Sequence, residues 1–164
     1  MAHSAPHELE REQWLPAPPA SVFAFFADAA NLERMTPPWL GFRIRTPLPV
    51  ELGPGARIDY SIRLGPVPVR WRTRIDVWEP EKRFVDVQER GPYARWIHLH
   101  EFTPLGGGVL MRDRVSYALP LGPLGTLAHA ALVRALLARI FDYRFARARE
   151  LFASNVPPRA SSRG

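Results

Sequence analysis

Residue periodicity points to a single α+β domain in which a curved antiparallel sheet of about seven strands wraps a long C-terminal helix. Three observations lead there. Apolar residues recur at helical spacing only near the start of the chain and again after Pro123, whereas from Gly41 to Tyr117 the period is two. Proline and glycine break that middle stretch at short intervals, and short connections make antiparallel neighbours. A length of 164 residues suits one domain and leaves no room for a second.

Composition bounds the rest. Hydrophobic residues at 46% and charged residues at 23% are enough to bury a core and exclude a disordered chain. The 18 prolines sit between apolar segments and so act as turn markers rather than a low-complexity tract. With no cysteine, disulfides, thiolate catalysis and cysteine-based zinc sites are all excluded. The net charge of +6 raises an acidic partner, nucleic acid or anionic membrane, as a question. The opening MAHSAPHELEREQW lacks the basic and apolar regions of a secretory leader, so a cytoplasmic protein is expected. The apolar run from Leu124 to Phe141 carries His129, Arg134 and Arg139 and is too short to span a bilayer.

Taken in order, Glu8 to Leu15 alternates weakly into the Pro16, Pro18, Pro19 cluster and predicts a first strand; residues 1–6 before it are expected to be disordered. Val22, Phe23, Phe26 and Ala30 recur at helical spacing behind prolines tolerated at a helix start, which predicts a helix over Ala20 to Ala30. Asn31 to Met35 adds a helical turn that ends before Pro37 and Pro38. Six strands follow, at Gly41 to Arg45, Ala56 to Leu64, Val67 to Trp78, Arg83 to Arg90, Ala94 to Pro104 and Val109 to Leu119. Beyond Pro123 a helix of about eight turns runs to Phe152. The last residues, 153–164, lack periodicity and are expected to form a disordered tail after a single domain over 7–152.

Alternation then assigns faces, because a strand turns successive side chains to opposite sides. Val67, Val69, Trp71, Thr73, Ile75 and Val77 face inward, opposite Arg70, Arg72, Arg74 and Asp76; likewise Ile58, Tyr60, Ile62 and Leu64 oppose Arg57, Asp59 and Arg63. Trp96, His98, His100 and Phe102 are placed inward because Arg95 and Glu101 on the other face are costly to bury, which exposes Ile97 and Leu99. Arg112 and Arg114 put Asp113 inward with Val109, Met111, Val115 and Tyr117. For Arg83 to Arg90 the choice stays open between a Phe84, Asp86, Gln88 row and a Val85, Val87 row.

The strings PPASVFAFFADAANLERMTPPWLGFRI, WRTRIDVWEP, FVDVQERGPYARWIHLHEF, DRVSYALPLGPLG and IFDYR, in this element order, resemble the START-like, helix-grip superfamily called SRPBCC. The resemblance covers nearly all of residues 7–152 and lies nearest its polyketide cyclase/dehydrase and coenzyme Q-binding groups. It implies an apolar cavity between sheet and long helix that holds a hydrophobic small molecule, a lipid, quinone, isoprenoid or polyketide-like compound, in a carrier or chaperone.

On that reading Tyr60, Trp71, Trp96 and Phe102 supply apolar contact, and Leu136 and Ile140, with Leu132 and Tyr143, close the cavity from the helix. Leu119 to Gly125 and Pro37-Pro38-Trp39 flank its entrance. His98, His100 and Asp113 orient a polar group, joined by Tyr117 and, if their row faces in, by Asp86 and Gln88. His98, His100 and Asp113 are also the candidate catalytic groups of an alternative, a cyclase/dehydratase-type enzyme working through a His-Asp pair. The His-x-His spacing resembles some zinc sites, with Asp113 as the candidate third ligand, yet no third histidine is in register and the resemblance carries no metal, so neither metal nor other cofactor is expected. A third alternative is a homodimer joined through Val85, Val87, Ile97 and Leu99. Arg70, Arg72, Arg74, Arg112, Arg114 and the helix residues Arg134, Arg139, Arg144, Arg147 and Arg149 alternate with core positions, as a solvated exterior does, so no nucleic acid is expected; an anionic membrane surface fits better.

Overall fold

The computed structural model describes residues 6–120, 122–128 and 132–153. Seven strands form one sheet: β1 (His7–Leu15), β2 (Arg43–Ile44), β3 (Arg57–Leu64), β4 (Val67–Glu79), β5 (Arg83–Arg90), β6 (Arg95–Leu105) and β7 (Gly108–Ala118). Their order is β1-β7-β6-β5-β4-β3-β2, and every neighbouring pair is antiparallel. The chain thus meanders from β2 to β7, and β1 closes the far side. Helices α1 (Pro19–Phe26) and α2 (Leu32–Met35) follow β1, and α3 (Gly122–Ala128) and α4 (Arg134–Ala153) follow β7. This is the α+β fold expected from the periodicity, in the helix-grip arrangement that the resemblance implies. No helix among the described residues is long and apolar enough to cross a membrane.

Local chemistry explains the boundaries. Pro19 starts α1 at a position where its missing N–H costs nothing. The helix expected to reach Ala30 stops at Phe26, because Asp28 turns its side chain onto the Ala30 N–H and opens a short 3-10 turn, Ala29–Asn31. The strand expected from Gly41 shrinks to Arg43–Ile44, since Gly41 takes a left-handed φ of 51° to close the 3-10 turn Pro38–Leu40. Gly106 and Gly107, with φ of 57° and 78°, form the two-residue turn between β6 and β7, a geometry that matches the strand twist. The helix expected as one span is described in two pieces; residues 129–131 lie outside the described residues, as do 1–5 and 154–164, where disorder was expected.

The inward faces of β3, β6 and β7 follow the alternation, with Ile58, His98, His100, Phe102, Val109, Met111, Asp113, Val115 and Tyr117 all buried. The open choice at β5 resolves to Phe84, Asp86 and Gln88, since Phe84 is buried and Asp86 pairs with His98 across the sheet. In β4 the expectation fails at two points, Val77 and Val67. A register shift between Ile75 and Val77 reverses the phase, so Val77, rather than pointing in, pairs with the outward Val85, and Trp78 enters the core against Phe23 and Phe84. Val67, at the hairpin end of the same strand, is exposed.

On the outer face the arginine rows are paired with carboxylates. Arg72 binds Asp59 at 2.7 Å, Arg57 and Arg74 share Glu89 at 2.8 and 2.9 Å, and Arg112 and Arg114 meet Glu12 and Glu10 of β1. Ile97 and Leu99, expected to be exposed, are half-buried, as are Val85 and Val87. Arg74 stands opposite Val87 and Arg114 opposite Leu99, so charged side chains flank the apolar row.

Candidate functional site: a cavity with a His-Asp wall

Between the concave sheet and α4 lies a cavity of about 170 Å³. Its wall is mostly aliphatic and aromatic: Ile58, Tyr60, Ile62 and Leu64 of β3, Trp71 and Ile75 of β4, and Leu136, Leu137, Ile140 and Phe141 of α4. Met35, Leu40 and Phe42 close it from the segment after α1. Aromatic rings form one side, with Tyr60 stacked on Trp71 at 5.8 Å and Trp71 edge-on to Trp96 at 5.2 Å.

One stretch of wall is ionisable. Asp86, His98 and His100 line the cavity, and Asp113 lies behind them, away from the lining. Adjacent strands bring them together: His98 is opposite Asp86 on β5, and His100 is opposite Asp113 on β7. The hydrogen bonds run on the diagonals. His98 Nε2 donates to Asp113 Oδ1 at 2.9 Å, and His100 Nε2 donates to Asp86 Oδ2 at 3.1 Å. His100 Nδ1 is 2.8 Å from Asp113 Oδ1, at an angle that makes this a charge contact rather than an aligned hydrogen bond. The two imidazoles lie side by side with ring centroids 3.8 Å apart, and Phe84 stacks on His100 at 4.2 Å.

Burial and mutual charge separate the two histidines. Burial, helped by the charge of His100, pushes His98 below the usual imidazole value and outweighs its carboxylate partners. Burial acts on His100 in the same direction, but the charge of Asp113 and the contacts to Asp113 and Asp86 outweigh it and raise the value. For Asp113 burial favours the neutral acid, yet the charge of His100 and contacts from both imidazoles hold it well below the usual carboxylate range. The surroundings thus drive the two adjacent imidazoles apart, His100 toward the charged form and His98 toward the neutral one. Burial also raises Tyr60 and Tyr93, so both phenols stay protonated as donors.

The residues expected at the site divide into two groups. Tyr60, Trp71, Asp86, Trp96, His98, His100, Leu136 and Ile140 line the cavity. Phe102 packs instead in a closed aromatic cluster with Phe23 and Phe84, and Tyr117 packs with Val115, Leu137 and Phe141. Gln88 is tied to the β5–β6 turn, where its amide donates to the Tyr93 carbonyl at 2.7 Å and accepts from the Tyr93 N–H. Leu132, expected to close the cavity, is 67% exposed, and Tyr143 packs on Trp39. Thr36 and Leu40 line the cavity on either side of Pro37-Pro38-Trp39; in the other expected rim, Leu121 lies outside the described residues and none of the described ones lines it.

The reading by periodicity missed Arg144. Assigned to the solvated exterior, it lines the cavity, with its Nε buried and without a hydrogen-bond partner. Its signal was present in the sequence, because Leu136, Ile140 and Arg144 follow one another at a spacing of four along one helical stripe. Leu137 and Phe141, the buried residues of the adjacent stripe, were missed with it.

Comparison with solved structures finds the same fold in proteins of low sequence identity. TTHA0849 from Thermus thermophilus is 22% identical with a TM-score of 0.68, over 92% of this chain and 100% of that one. The Zhui aromatase/cyclase from a Streptomyces species is 15% identical with a TM-score of 0.64, over 93% and 99%. A nucleoside-diphosphate sugar epimerase from Corynebacterium glutamicum is 26% identical with a TM-score of 0.63, and there 87% of this chain matches 28% of the larger protein. Comparison with curated protein sequences returns no match. The profile of one family spans residues 6–153, nearly the whole described domain, and by that match the chain belongs to the polyketide cyclase/dehydrase and lipid transport family of the START-like, helix-grip superfamily.

Proposed function

We propose that the protein binds a hydrophobic small molecule between the sheet and α4 and serves as its carrier or chaperone. One observation carries this reading: the space between sheet and helix is a cavity with an apolar wall and few polar groups, the composition of small-molecule sites. Apolar cavities of roughly 150 Å³ take up a benzene-sized group, so the cavity suits a ring or a short alkyl segment of a lipid, quinone, isoprenoid or polyketide-like compound. The polar groups give such a ligand an orientation. Arg144 has no ion pair among the described residues and offers its guanidinium to a carboxylate or carbonyl, while the His-Asp wall and the Tyr60 hydroxyl offer further hydrogen bonds.

Native mass spectrometry of the protein purified from its host tests the reading. A co-purifying compound of lipid size is expected, together with a rise in melting temperature on adding that compound. Protein that is always empty and whose melting temperature ignores a panel of lipids, quinones and polyketide analogues overturns it.

A second reading, turnover of the bound compound in the manner of a cyclase or dehydratase, is favoured by the position of Asp86, His98 and His100 on the cavity wall. Here His98→Ala abolishes turnover of a bound substrate and leaves its affinity nearly unchanged. Equal loss of affinity and turnover assigns His98 to support of the cavity.

A further inference from the structure

We propose that Asp86, His98 and His100 form a binding site for one divalent first-row transition metal ion, with Asp113 holding the two imidazoles in place. Each of the three ligands offers one atom, and these atoms lie within 4.8 Å of one another. Asp86 Oδ2 is 3.1 Å from His100 Nε2 and 3.6 Å from His98 Nδ1. With metal–ligand bonds of about 2.0–2.1 Å, two ligands of a tetrahedral ion stand about 3.3 Å apart. The two separations from Asp86 bracket that value, and no ligand atom lies more than 4.8 Å from another, so an ion enters among the three with modest shifts of the side chains.

The hydrogen-bond pattern points the same way. Asp113 Oδ1 accepts from His98 Nε2 and makes a charge contact with His100 Nδ1, so each ring sets one nitrogen against Asp113 and turns the other toward Asp86. A carboxylate behind a ligating histidine is the usual arrangement that fixes its tautomer and direction. With its proton on Nε2, His98 presents a bare acceptor at Nδ1, and that acceptor faces a carboxylate oxygen. Two acceptors that face each other in a buried site call for a cation between them. A dication there displaces the proton shared by His100 and Asp86, and its charge balances the two carboxylates.

The third ligand is Asp86 rather than Asp113, the candidate offered beside the His-x-His spacing. It comes from β5, where Asp86 stands opposite His98. Three protein ligands from two strands leave at least one coordination position, and since all three line the cavity, that position opens onto it. Imidazole and carboxylate ligands without sulfur suit zinc, iron(II) or cobalt(II) rather than copper(I). The occupant of the open position is water or an oxygen donor of the bound compound, a carbonyl, enolate or carboxylate. The metal site stands apart from the identity of any carried ligand.

Chelator-treated full-length protein titrated with Co²⁺ tests the proposal by visible d–d absorption and by equilibrium dialysis. The expected result is one ion per chain with the intense bands of a four- or five-coordinate ion, lost in Asp86→Asn, which preserves the shape and hydrogen-bonding capacity of the side chain. Asp113→Asn weakens binding by about 10- to 100-fold without changing the stoichiometry. The wild-type protein gives a readout that needs no variant: on adding Zn²⁺, the ring nitrogen signals of His98 Nδ1 and His100 Nε2 shift, and those of His3, His7 and His129 do not. Absence of saturable Co²⁺ binding, Asp86→Asn binding as well as wild type, or ring shifts confined to the other histidines overturns the proposal.

Discussion

At one end of the concave sheet, α1 and the last turns of α4 press onto β6 and β7, and Phe23 meets Trp78, Phe84 and Phe102 in edge-on contacts of 5.3 to 6.0 Å. At the other end, under the first turns of α4, Tyr60, Trp71 and Trp96 also meet ring to ring, but beside an opening of about 170 Å³. Both ends use aromatic residues on alternate strand positions. They differ in what covers them. The closed end has Phe23, Ala148 and Phe152 to fill the gap between layers, with Phe25 and Phe26 at its border with the cavity. The open end has Leu136, Ile140 and Arg144 on the facing stripe, too few and too slender to fill it. Close packing at one end thus holds the sheet and helix apart at the other, which is how a small domain keeps a cavity without collapsing onto it.

The sharpest test of that division is truncation at the closed end. Phe102→Ala removes a fully packed ring and is expected to cost about 3–5 kcal/mol in denaturant unfolding, enough to endanger folding of a domain this size. A loss under about 1 kcal/mol breaks the comparison, because the closed end then does not hold the two layers together. At the open end, Ile140→Ala enlarges a space that already exists. It is expected to cost only about 1–2 kcal/mol, and its larger effect is on the affinity of an apolar ligand, read by thermal shift or calorimetry.

Arg144→Gln separates polar from apolar roles at the open end. Stability is expected to change by less than about 0.5 kcal/mol, since the guanidinium has no ion-pair partner among the described residues. Affinity for a carboxylate-bearing ligand falls about tenfold or more, and that for its alcohol analogue hardly moves. Equal loss for both analogues assigns Arg144 to packing alone.

The outer face gives the smallest effect. Asp59→Asn breaks the pair with Arg72, which is partly exposed, and costs under about 1 kcal/mol. The hydrogen bonds from Arg72 hold the Asp59 carboxyl below its usual value against the opposing effect of burial. Its contribution is therefore present above the unfolded-state value of about 3.9 and lost as pH falls through the lower folded value. Unfolding curves of variant and wild type are expected to differ at neutral pH and to merge in acid.

Much of this architecture was legible in the residues. Trp71, Tyr60, His98, His100 and Asp113 could be turned inward from alternation alone, because an arginine on the opposite face fixed the phase of each strand. Alternation is silent where both faces are mixed, as at Phe84, Asp86 and Gln88, and it fails where a bulge inserts a residue, as between Ile75 and Val77. A helix stripe is harder still. Arg144 looked like surface because it is charged, and only its contact with the cavity shows that the stripe of Leu136 and Ile140 continues through it.

The sequence by itself determined the order of elements, their antiparallel pairing and the inward face of most strands, since these depend on period and turn chemistry within a few residues. Tertiary structure alone decided that Asp86 joins His98 and His100, that Phe102 belongs to packing while Arg144 belongs to the cavity, and that Gln88 serves a turn. Each of these depends on register between strands or on the distance between sheet and helix, quantities set by side chains far apart in the chain.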